Sequence, residues 1–280
     1  MSELTTTTVK TKGYLSYVLE SGNKDNGTII LLHGGGPGSS ALSNWEEFIP
    51  ELSDQFHVIA PDIVGHGKTD HPEDSPKSVR GWMRLRVDQI LAIMDEMGIR
   101  KAHLVGNSMG GALAMHLIMT EPERFNHISL MGSAGGKMSP TPELERMANF
   151  YKDPTESALA NLTRWFVYDE RIISDRIAAI SKDRYNEVMR PDVRRSYESF
   201  FQTSPSEMMV PPSALRRMEQ QFLLVHGRED RFVLPESSIY LQQHLPNAQL
   251  HIFDKCGHWV QIEKKDSYSK LLIDFFNNKY

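Results

Sequence analysis

Ser108 is the first residue that could carry chemistry. It lies in Gly-Asn-Ser-Met-Gly, residues 106–110, directly after a short apolar run and before a stretch rich in Ala, Leu and Met. The G-x-S-x-G pattern between a strand and a helix is typical of a nucleophile elbow, a sharp turn that exposes the serine Oγ. A hydroxyl is a weak nucleophile. This interpretation therefore requires a histidine base and a carboxylate that orients the histidine.

Asp230 and His258 are the candidates for the carboxylate and the base. Each follows one of the last two apolar runs of the chain. The order serine, acid, histidine is the order found in α/β-hydrolases. Loops that follow parallel strands meet at the carboxyl edge of the sheet, so we expect the three side chains to converge there. Glu229 is a rival for the carboxylate, and Asp254 is a weaker one because it ends the histidine's own strand.

A glycine-rich turn, His-Gly-Gly-Gly-Pro-Gly at residues 33–38, could supply hydrogen-bond donors for a tetrahedral intermediate. We expect the backbone N–H groups of Gly35 and Met109 to form an oxyanion hole, where one donor contributes about 3–4 kcal/mol. Pro37 and the lack of G-x-G-x-x-G spacing argue against a nucleotide site. No His, Cys, Asp and Glu residues have metal-ligand spacing. His66 is interpreted as part of a structural loop.

Alternation of strand and helix patterns predicts one doubly wound, mostly parallel α/β domain. The predicted strands are 28–32, 56–60, 102–105, 127–131, 221–226 and 249–253. Helical spacing predicts helices over 79–97 and 267–276, and Gly98 ends the first of them.

The alternation breaks between Lys137 and Leu215, where proline pairs at 140/142 and 211/212 bracket a segment without strand–glycine units. Helices are predicted there over 143–151, 155–168 and 174–189. We therefore expect an α/β-hydrolase core at 1–136 and 213–280 and a helical insertion at 137–212 that acts as a lid.

Composition is that of an ordinary globular protein: 280 residues, 40% hydrophobic, 24% charged, formal net charge −5. This charge gives no basic footprint for nucleic acid or an anionic membrane. The one cysteine, Cys256, excludes an internal disulfide and fits a reducing compartment. Residues 1–8 lack the regions of a signal peptide, and the apolar run 29–32 is far shorter than the ~20 residues that span a bilayer. The default location is the cytoplasm.

Several motifs resemble the meta-cleavage product hydrolases, which cut carbon–carbon bonds in ring-fission products of catechols. The matching segments are 33–38, 60–65, 106–111, 130–136, 166–169, 226–230 and 255–259. Asparagine before the nucleophile and tryptophan after the histidine are similar to this family rather than to esterases in general.

The resemblance implies a triad of Ser108, Asp230 and His258, and it selects Asp230 over Glu229. It also implies substrate contacts from Gly34, Asn44, Asn107, Phe166, Arg184 and Trp259. A substrate carboxylate in a partly desolvated pocket needs a fixed cation, and a guanidinium can form a bidentate pair with it. Arg176 and Arg190 remain alternatives to Arg184, because the spacing from Phe166 is a few residues longer than the family pattern.

The implied substrate is a 2-hydroxy-6-oxo-hexa-2,4-dienoate, and the implied products are 2-hydroxypenta-2,4-dienoate and a carboxylic acid. Ser108, or a water molecule, would add to the ketone. No metal or organic cofactor is implied, and a homodimer or larger assembly is expected. A carboxylesterase with the same triad is the main alternative, and a non-catalytic binding protein on the same scaffold is the second.

Overall fold

An eight-stranded sheet forms the centre of the computed structural model, which describes residues 3–11, 13–137 and 139–279. The strands are β1 (Thr5–Thr11), β2 (Tyr14–Ser21), β3 (Thr28–Leu32), β4 (His57–Pro61), β5 (Ala102–Asn107), β6 (Phe125–Met131), β7 (Gln221–Gly227) and β8 (Ala248–Phe253). Their order across the sheet is β1-β2-β4-β3-β5-β6-β7-β8. Only the pairs β1–β2 and β2–β4 are antiparallel.

Helices connect the parallel strands and fill the segment between β6 and β7. They are α1 (Ala41–Trp45), α2 (Ile49–Ser53), α3 (Val79–Glu96), α4 (Met109–Thr120), α5 (Pro142–Ala148), α6 (Glu156–Trp165), α7 (Ile177–Val188), α8 (Pro191–Phe200), α9 (Pro212–Leu215), α10 (Glu236–His244), α11 (Val260–Glu263) and α12 (Lys265–Phe276). The predicted α/β-hydrolase fold is confirmed.

All six predicted strands are present within two residues of their predicted ends, whereas the hairpin β1–β2 was not predicted. Its first strand carries a run of four threonines, residues 5–8. β-branched threonine fits a half-exposed strand well, and Val9 and Thr11 are buried while Thr8 and Lys10 face solvent. The hairpin extends the sheet by antiparallel pairing from β2 to β4.

Two apolar layers cover the two faces of the sheet, as a doubly wound domain requires. One layer packs α3, α4 and α10 against the sheet and includes Trp82, Leu104 and Leu113. The other packs α1, α2 and α12 against the opposite face and includes Trp45 and Tyr268. The central strands β3, β4 and β5 are buried along their whole length, as expected of strands covered on both faces.

The insertion, residues 137–212, contains helices and no described strand. Thr141 and Thr155 cap α5 and α6, since each side chain accepts a hydrogen bond from the backbone N–H three residues on. The helix α8 was not predicted. A third apolar cluster joins the insertion to the sheet domain through Phe232 and Trp259. The division into core and lid stays a prediction, but the shared cluster brings the insertion against the carboxyl edge of the sheet.

No described helix is both long and apolar enough to cross a membrane.

Substitution of Leu104 tests whether the residues of the central strands form the core of the fold. It is fully buried in β5, whereas Leu15 in β2 is 49% exposed. Leu104→Ala is expected to lower the free energy of unfolding by about 3–5 kcal/mol through lost transfer energy and a residual cavity. Leu15→Ala should change it by less than about 0.5 kcal/mol. Chemical denaturation measures both, and equal losses would contradict the assignment of the core.

Candidate active site

Ser108 lies in the tight turn between β5 and α4, with φ 55° and ψ −117°. A positive φ is unusual for a residue with a side chain and costs of order 1–3 kcal/mol. Two hydrogen bonds hold the turn: the Ser108 N–H donates to the Met131 carbonyl (3.0 Å), and the Ala134 N–H donates to the Ser108 carbonyl (3.0 Å). The predicted elbow is therefore held by the chain that follows β6.

Glycines on either side of Ser108 permit the turn to close. A Cβ on Gly106 would lie 2.5 Å from the Gly110 carbonyl oxygen, and a Cβ on Gly110 would lie 2.2 Å from the Leu32 carbonyl oxygen. Both distances are shorter than any van der Waals contact. The spacing of the motif is thus a direct consequence of the backbone approach that presents the serine.

His258 and Asp230 meet at the ends of β7 and β8. The Asp230 Oδ2 lies 2.6 Å from the His258 Nδ1. The rivals for the carboxylate are elsewhere, since Asp254 is exposed and Glu229 accepts a hydrogen bond from the Cys256 N–H. Among the three sequence candidates, the geometry brings only Asp230 onto the imidazole.

The Asp230 carboxylate is buried and fully engaged. Its Oδ1 accepts hydrogen bonds from the N–H groups of Phe232 (2.8 Å) and Val233 (3.0 Å). Burial by itself raises the pKa of this carboxyl, but the charge and hydrogen bonds of His258 and His226 outweigh burial and hold the pKa well below its usual range. The ionised form needed to orient His258 is therefore the stable one.

Ser108 and His258 line one small cavity of about 20 Å³. No hydrogen bond joins the serine hydroxyl to the imidazole among the residues described, and such contacts are often long before substrate binds. The histidine loop is held by the insertion, because the Phe166 carbonyl accepts hydrogen bonds from the N–H groups of His258 (2.7 Å) and Trp259 (3.1 Å). The spacing of these residues in the sequence gives no hint of this contact.

The glycine-rich turn lies against the start of α4. A Cβ on Gly35 would lie 3.0 Å from the Met109 Sδ, and one on Gly34 would lie 3.0 Å from the Asn107 Oδ1. Gly34 and Gly35 also line the small cavity with Ser108. The arrangement brings the expected oxyanion-hole residues together, with Met109 at the first position of α4, where the helix dipole favours negative charge.

Arg184 is buried on α7 and faces the same cavity. Burial lowers its pKa to about 10, so it remains a cation at neutral pH. Its guanidinium lies 5.0 Å from the Trp259 ring centre and donates to the Ser43 Oγ at 3.5 Å. Its Nε has no hydrogen-bond partner, and no described carboxylate pairs with it. Burial removes the hydration of this cation and no described carboxylate replaces it, so binding of an anion would compensate the charge.

The two alternative arginines already have carboxylate partners. Arg176 pairs with Glu47, and Arg190 pairs with Glu187 and Asp192. Arg176 lines a larger cavity of about 520 Å³ that also includes Arg184, Asn44 and Trp259. Of the three arginines, Arg184 is the one without a carboxylate partner among the described residues, so the geometry favours Arg184 as the residue that could bind a substrate carboxylate.

The remaining predicted binding residues line the small cavity. Asn44 is buried, and its Nδ2 lacks a hydrogen-bond partner in the described structure. Asn107 is held by a hydrogen bond from its Nδ2 to the Met131 carbonyl (3.2 Å). Phe166 stacks between Phe232 (4.1 Å between ring centres) and Trp259 (4.7 Å). One amide is thus free for a ligand, while the other is fixed by the fold.

Apolar residues that the sequence analysis missed also line the small cavity: Leu144, Met147, Phe232 and Val233. Gln261, whose Oε1 is buried without a partner, lines the larger one. None of these belongs to a motif. Only Phe232 and Val233 carried a signal, namely their position directly after Asp230.

His66 is buried and accepts a hydrogen bond from Arg86, in keeping with its interpretation as part of a structural loop. In the parts of the chain that the structure describes, no group of three or more His, Cys, Asp and Glu residues could hold a metal ion.

A family model described as the alpha/beta hydrolase family matches residues 29–269. The chain therefore belongs to the alpha/beta hydrolase family, as its sheet and elbow indicate. Within it, the chain groups with the meta-cleavage product hydrolases, since it is 35% identical to the enzyme so named from Pseudomonas fluorescens IP01, with a TM-score of 0.89 over 97–98% of both chains.

Two further relatives are similar over most of their length. A structure of 2-hydroxy-6-oxo-6-phenylhexa-2,4-dienoate hydrolase from Rhodococcus sp. strain RHA1 is 39% identical, with a TM-score of 0.95, and the match covers 99% of this chain and 100% of that one. The 2-hydroxymuconate semialdehyde hydrolase of Pseudomonas sp. strain CF600 is 34% identical over 252 residues, 88% of this chain and 86% of its own. The matches thus span most of the length of both chains in each comparison.

Asp230→Asn tests the coupling of Asp230 to His258. The substitution should lower kcat by about 10⁴-fold, because an amide no longer fixes the imidazole tautomer. The native pKa of Asp230 is lowered, so its ionisation stabilises the fold above the unfolded pKa of about 3.9, and this contribution is lost as the pH falls further.

Steady-state kinetics and denaturation between about pH 5 and pH 2 check both effects, since the acid loss of stability should be smaller in the variant. Glu229→Gln is the control and should keep most of the activity. Equal kinetics for the two variants would refute the role given to Asp230.

Proposed function

We propose that this protein hydrolyses the C5–C6 bond of a 2-hydroxy-6-oxo-hexa-2,4-dienoate, giving 2-hydroxypenta-2,4-dienoate and a carboxylic acid. The observation that carries this proposal is Arg184: a buried arginine with an unpaired Nε, beside the serine and histidine of the candidate triad. An ester hydrolase has no use for such a cation, whereas a dienoate carboxylate supplies the missing partner.

The cavities suggest how the substrate lies. Its carboxylate would pair with Arg184 and receive a hydrogen bond from the free Nδ2 of Asn44, and the planar dienoate would pack on Trp259. These three residues line both the larger and the small cavity. The ketone carbon would then reach Ser108, which lines only the small one.

Catalysis would proceed by addition and carbon–carbon cleavage. After the dienol tautomerises to the ketone, His258 takes the Ser108 proton while Oγ adds to C6, and the N–H groups of Gly35 and Met109 stabilise the oxyanion. Collapse breaks the C5–C6 bond, and its electron pair moves through the conjugated chain to the C2 oxygen, which takes up a proton. Water then hydrolyses the acyl ester on Ser108 with His258 as base.

The acyl end of the substrate would face Leu144, Met147, Phe232 and Val233, which line the small cavity and not the larger one. These side chains are apolar, and among the described residues Arg184, which is assigned to the carboxylate, and the candidate base His258 are the only ionisable side chains that share their cavity. A volume of about 20 Å³ is little more than a water molecule needs. We therefore propose a small uncharged acyl substituent, hydrogen or methyl.

Ser108→Ala should abolish turnover of both a dienoate and p-nitrophenyl acetate. Wild-type enzyme that cleaves the ester efficiently and leaves the dienoate intact would replace this proposal by the carboxylesterase alternative.

Arg184→Met tests the carboxylate site. Loss of a charge-assisted hydrogen bond should lower kcat/KM for the dienoate by roughly 10- to 100-fold. It should leave kcat/KM for p-nitrophenyl acetate, which has no carboxylate, nearly unchanged. The variant should be as stable as the wild type or more so, because it removes a buried charge without a partner.

Arg190→Met is the matched control, because this arginine is paired and lies outside both cavities. A larger loss of dienoate turnover in Arg176→Met than in Arg184→Met would transfer the carboxylate to Arg176 and disprove the assignment.

A substrate panel tests the acyl end. Among 2-hydroxy-6-oxo-dienoates, kcat/KM should be highest for hydrogen and methyl substituents, lower for phenyl, and lowest for carboxyethyl. An unpaired carboxylate in an apolar cavity costs several kcal/mol, so the last should fall at least about 100-fold below methyl.

Met147→Ala should raise kcat/KM for the phenyl substrate and leave that for methyl unchanged. Met189→Ala, at a methionine of the insertion that is 44% exposed, is the control and should change neither. A wild-type enzyme that prefers phenyl or carboxyethyl would contradict the small-substituent proposal without affecting the carbon–carbon cleavage.

The compartment and the oligomeric state stay predictions. A single buried thiol, Cys256, supports a cytoplasmic location. Light scattering that gives a multiple of 31.9 kDa would support the expected homodimer or larger assembly, and a mass of 31.9 kDa would exclude it.

A further inference from the structure

Arg86 is a second buried arginine without a carboxylate partner. It lies on α3 and is 1% exposed, and no ion pair to it is present in the described residues. Burial lowers its pKa to about 9, which leaves it charged at neutral pH. Its guanidinium packs on the rings of Trp82 (4.9 Å) and Phe200 (4.4 Å). An apolar side chain would fill this space at less electrostatic cost.

The polar contacts of Arg86 lead to the candidate oxyanion hole. Its Nη1 donates to the Met109 Sδ at 2.9 Å, and its Nη2 donates to the His66 Nε2 at 3.3 Å. Its Nε donates to the Val64 carbonyl at 3.3 Å. Met109 follows the candidate nucleophile, and its backbone N–H is an expected donor of the oxyanion hole. The Arg86 guanidinium therefore contacts the side chain of an oxyanion-hole residue.

A second path joins Arg86 to the glycine-rich turn. The His66 ring meets the His33 ring edge-on at 5.2 Å. His33 Nδ1 donates to the Gly34 carbonyl (2.8 Å), and His33 Nε2 accepts from the Ile63 N–H (3.0 Å). This pattern requires a neutral imidazole. Burial, together with the charge of Arg86, lowers the pKa of His33 to about 4.

We propose that Arg86 is the positioning residue of the oxyanion hole. It fixes Met109 directly and the turn of Gly34 and Gly35 through His66 and His33. This inference rests on the proposed role of Ser108, but it does not depend on the substrate, because esters and ketones both pass through an oxyanion.

Arg86→Met keeps an unbranched, flexible stem and removes the charge together with the hydrogen-bond donors of the guanidinium. We expect kcat to fall about 10- to 100-fold for both the dienoate and p-nitrophenyl acetate, less than the loss of a whole donor, with KM within about threefold. Arg86→Lys keeps a charge and should lose less. Met109→Leu removes the sulfur acceptor and should lower kcat by less than Arg86→Met does. If Arg86→Met does not fold, Met109→Leu serves as the test of the proposed role of Arg86.

Gln89→Leu is the matched structural control. Gln89 is buried on the same face of α3, and its Oε1 accepts from the Val64 N–H (2.7 Å), but it does not reach Met109. It should lose stability, read by thermal unfolding, without a selective fall in kcat.

Equal kcat for Arg86→Met and wild type, or equal falls in Arg86→Met and Gln89→Leu, would overturn the proposal. If wild type cleaves only the ester, the function proposed above fails while the ester assay still tests Arg86. If wild type cleaves neither substrate, both proposals fail.

Discussion

The site depends on the carboxylate of Asp230 more than on any other group. One oxygen receives the N–H groups of Phe232 and Val233, and the other lies on the His258 imidazole. The first pair fixes the loop after β7, and the last contact ties that loop to the one after β8. Because the carboxylate is buried, each of these hydrogen bonds is stronger than it would be in water. The geometry of the base therefore follows from the pairing of two neighbouring strands.

A chain with net charge −5 nevertheless places buried positive charge near its candidate nucleophile. Arg184 and Arg86 are both buried and have no carboxylate partner among the described residues, and Ser108 precedes the first residue of α4. Such an arrangement destabilises the resting fold, since a buried cation without a partner loses its hydration. It suits a reaction in which an anionic substrate arrives and a second negative charge then develops on the reacting oxygen. The buried arginines thus lower the stability of the fold at the site where the proposed substrate and intermediate carry negative charge.

Local signals in the sequence were sufficient for strands β3 to β8 and for the elbow. Buried parallel strands read as continuous apolar runs, and the glycines around Ser108 mark a backbone approach that no other residue permits. The hairpin β1–β2 was missed because a threonine-rich, half-exposed strand has little apolar contrast.

The contacts between distant segments could not be predicted. The choice of Arg184 over Arg176 and Arg190 depends on which guanidinium finds a carboxylate, and this is decided by the packing of α7 on the sheet domain. Arg86 carried no motif at all. The role proposed for it rests on the contact of its guanidinium with Met109, whereas in the sequence a single arginine in an amphipathic helix is indistinguishable from a surface charge.

The carbonyl of Phe166 belongs to the insertion, yet it accepts the N–H groups of both His258 and Trp259. If the insertion moved away as one rigid body, both hydrogen bonds would break and the loop of the candidate base His258 would lose these contacts. A motion that admits a ligand and keeps both hydrogen bonds would leave the segment around Phe166 in place. The Phe166 carbonyl thus couples the position of the insertion to that of the candidate base.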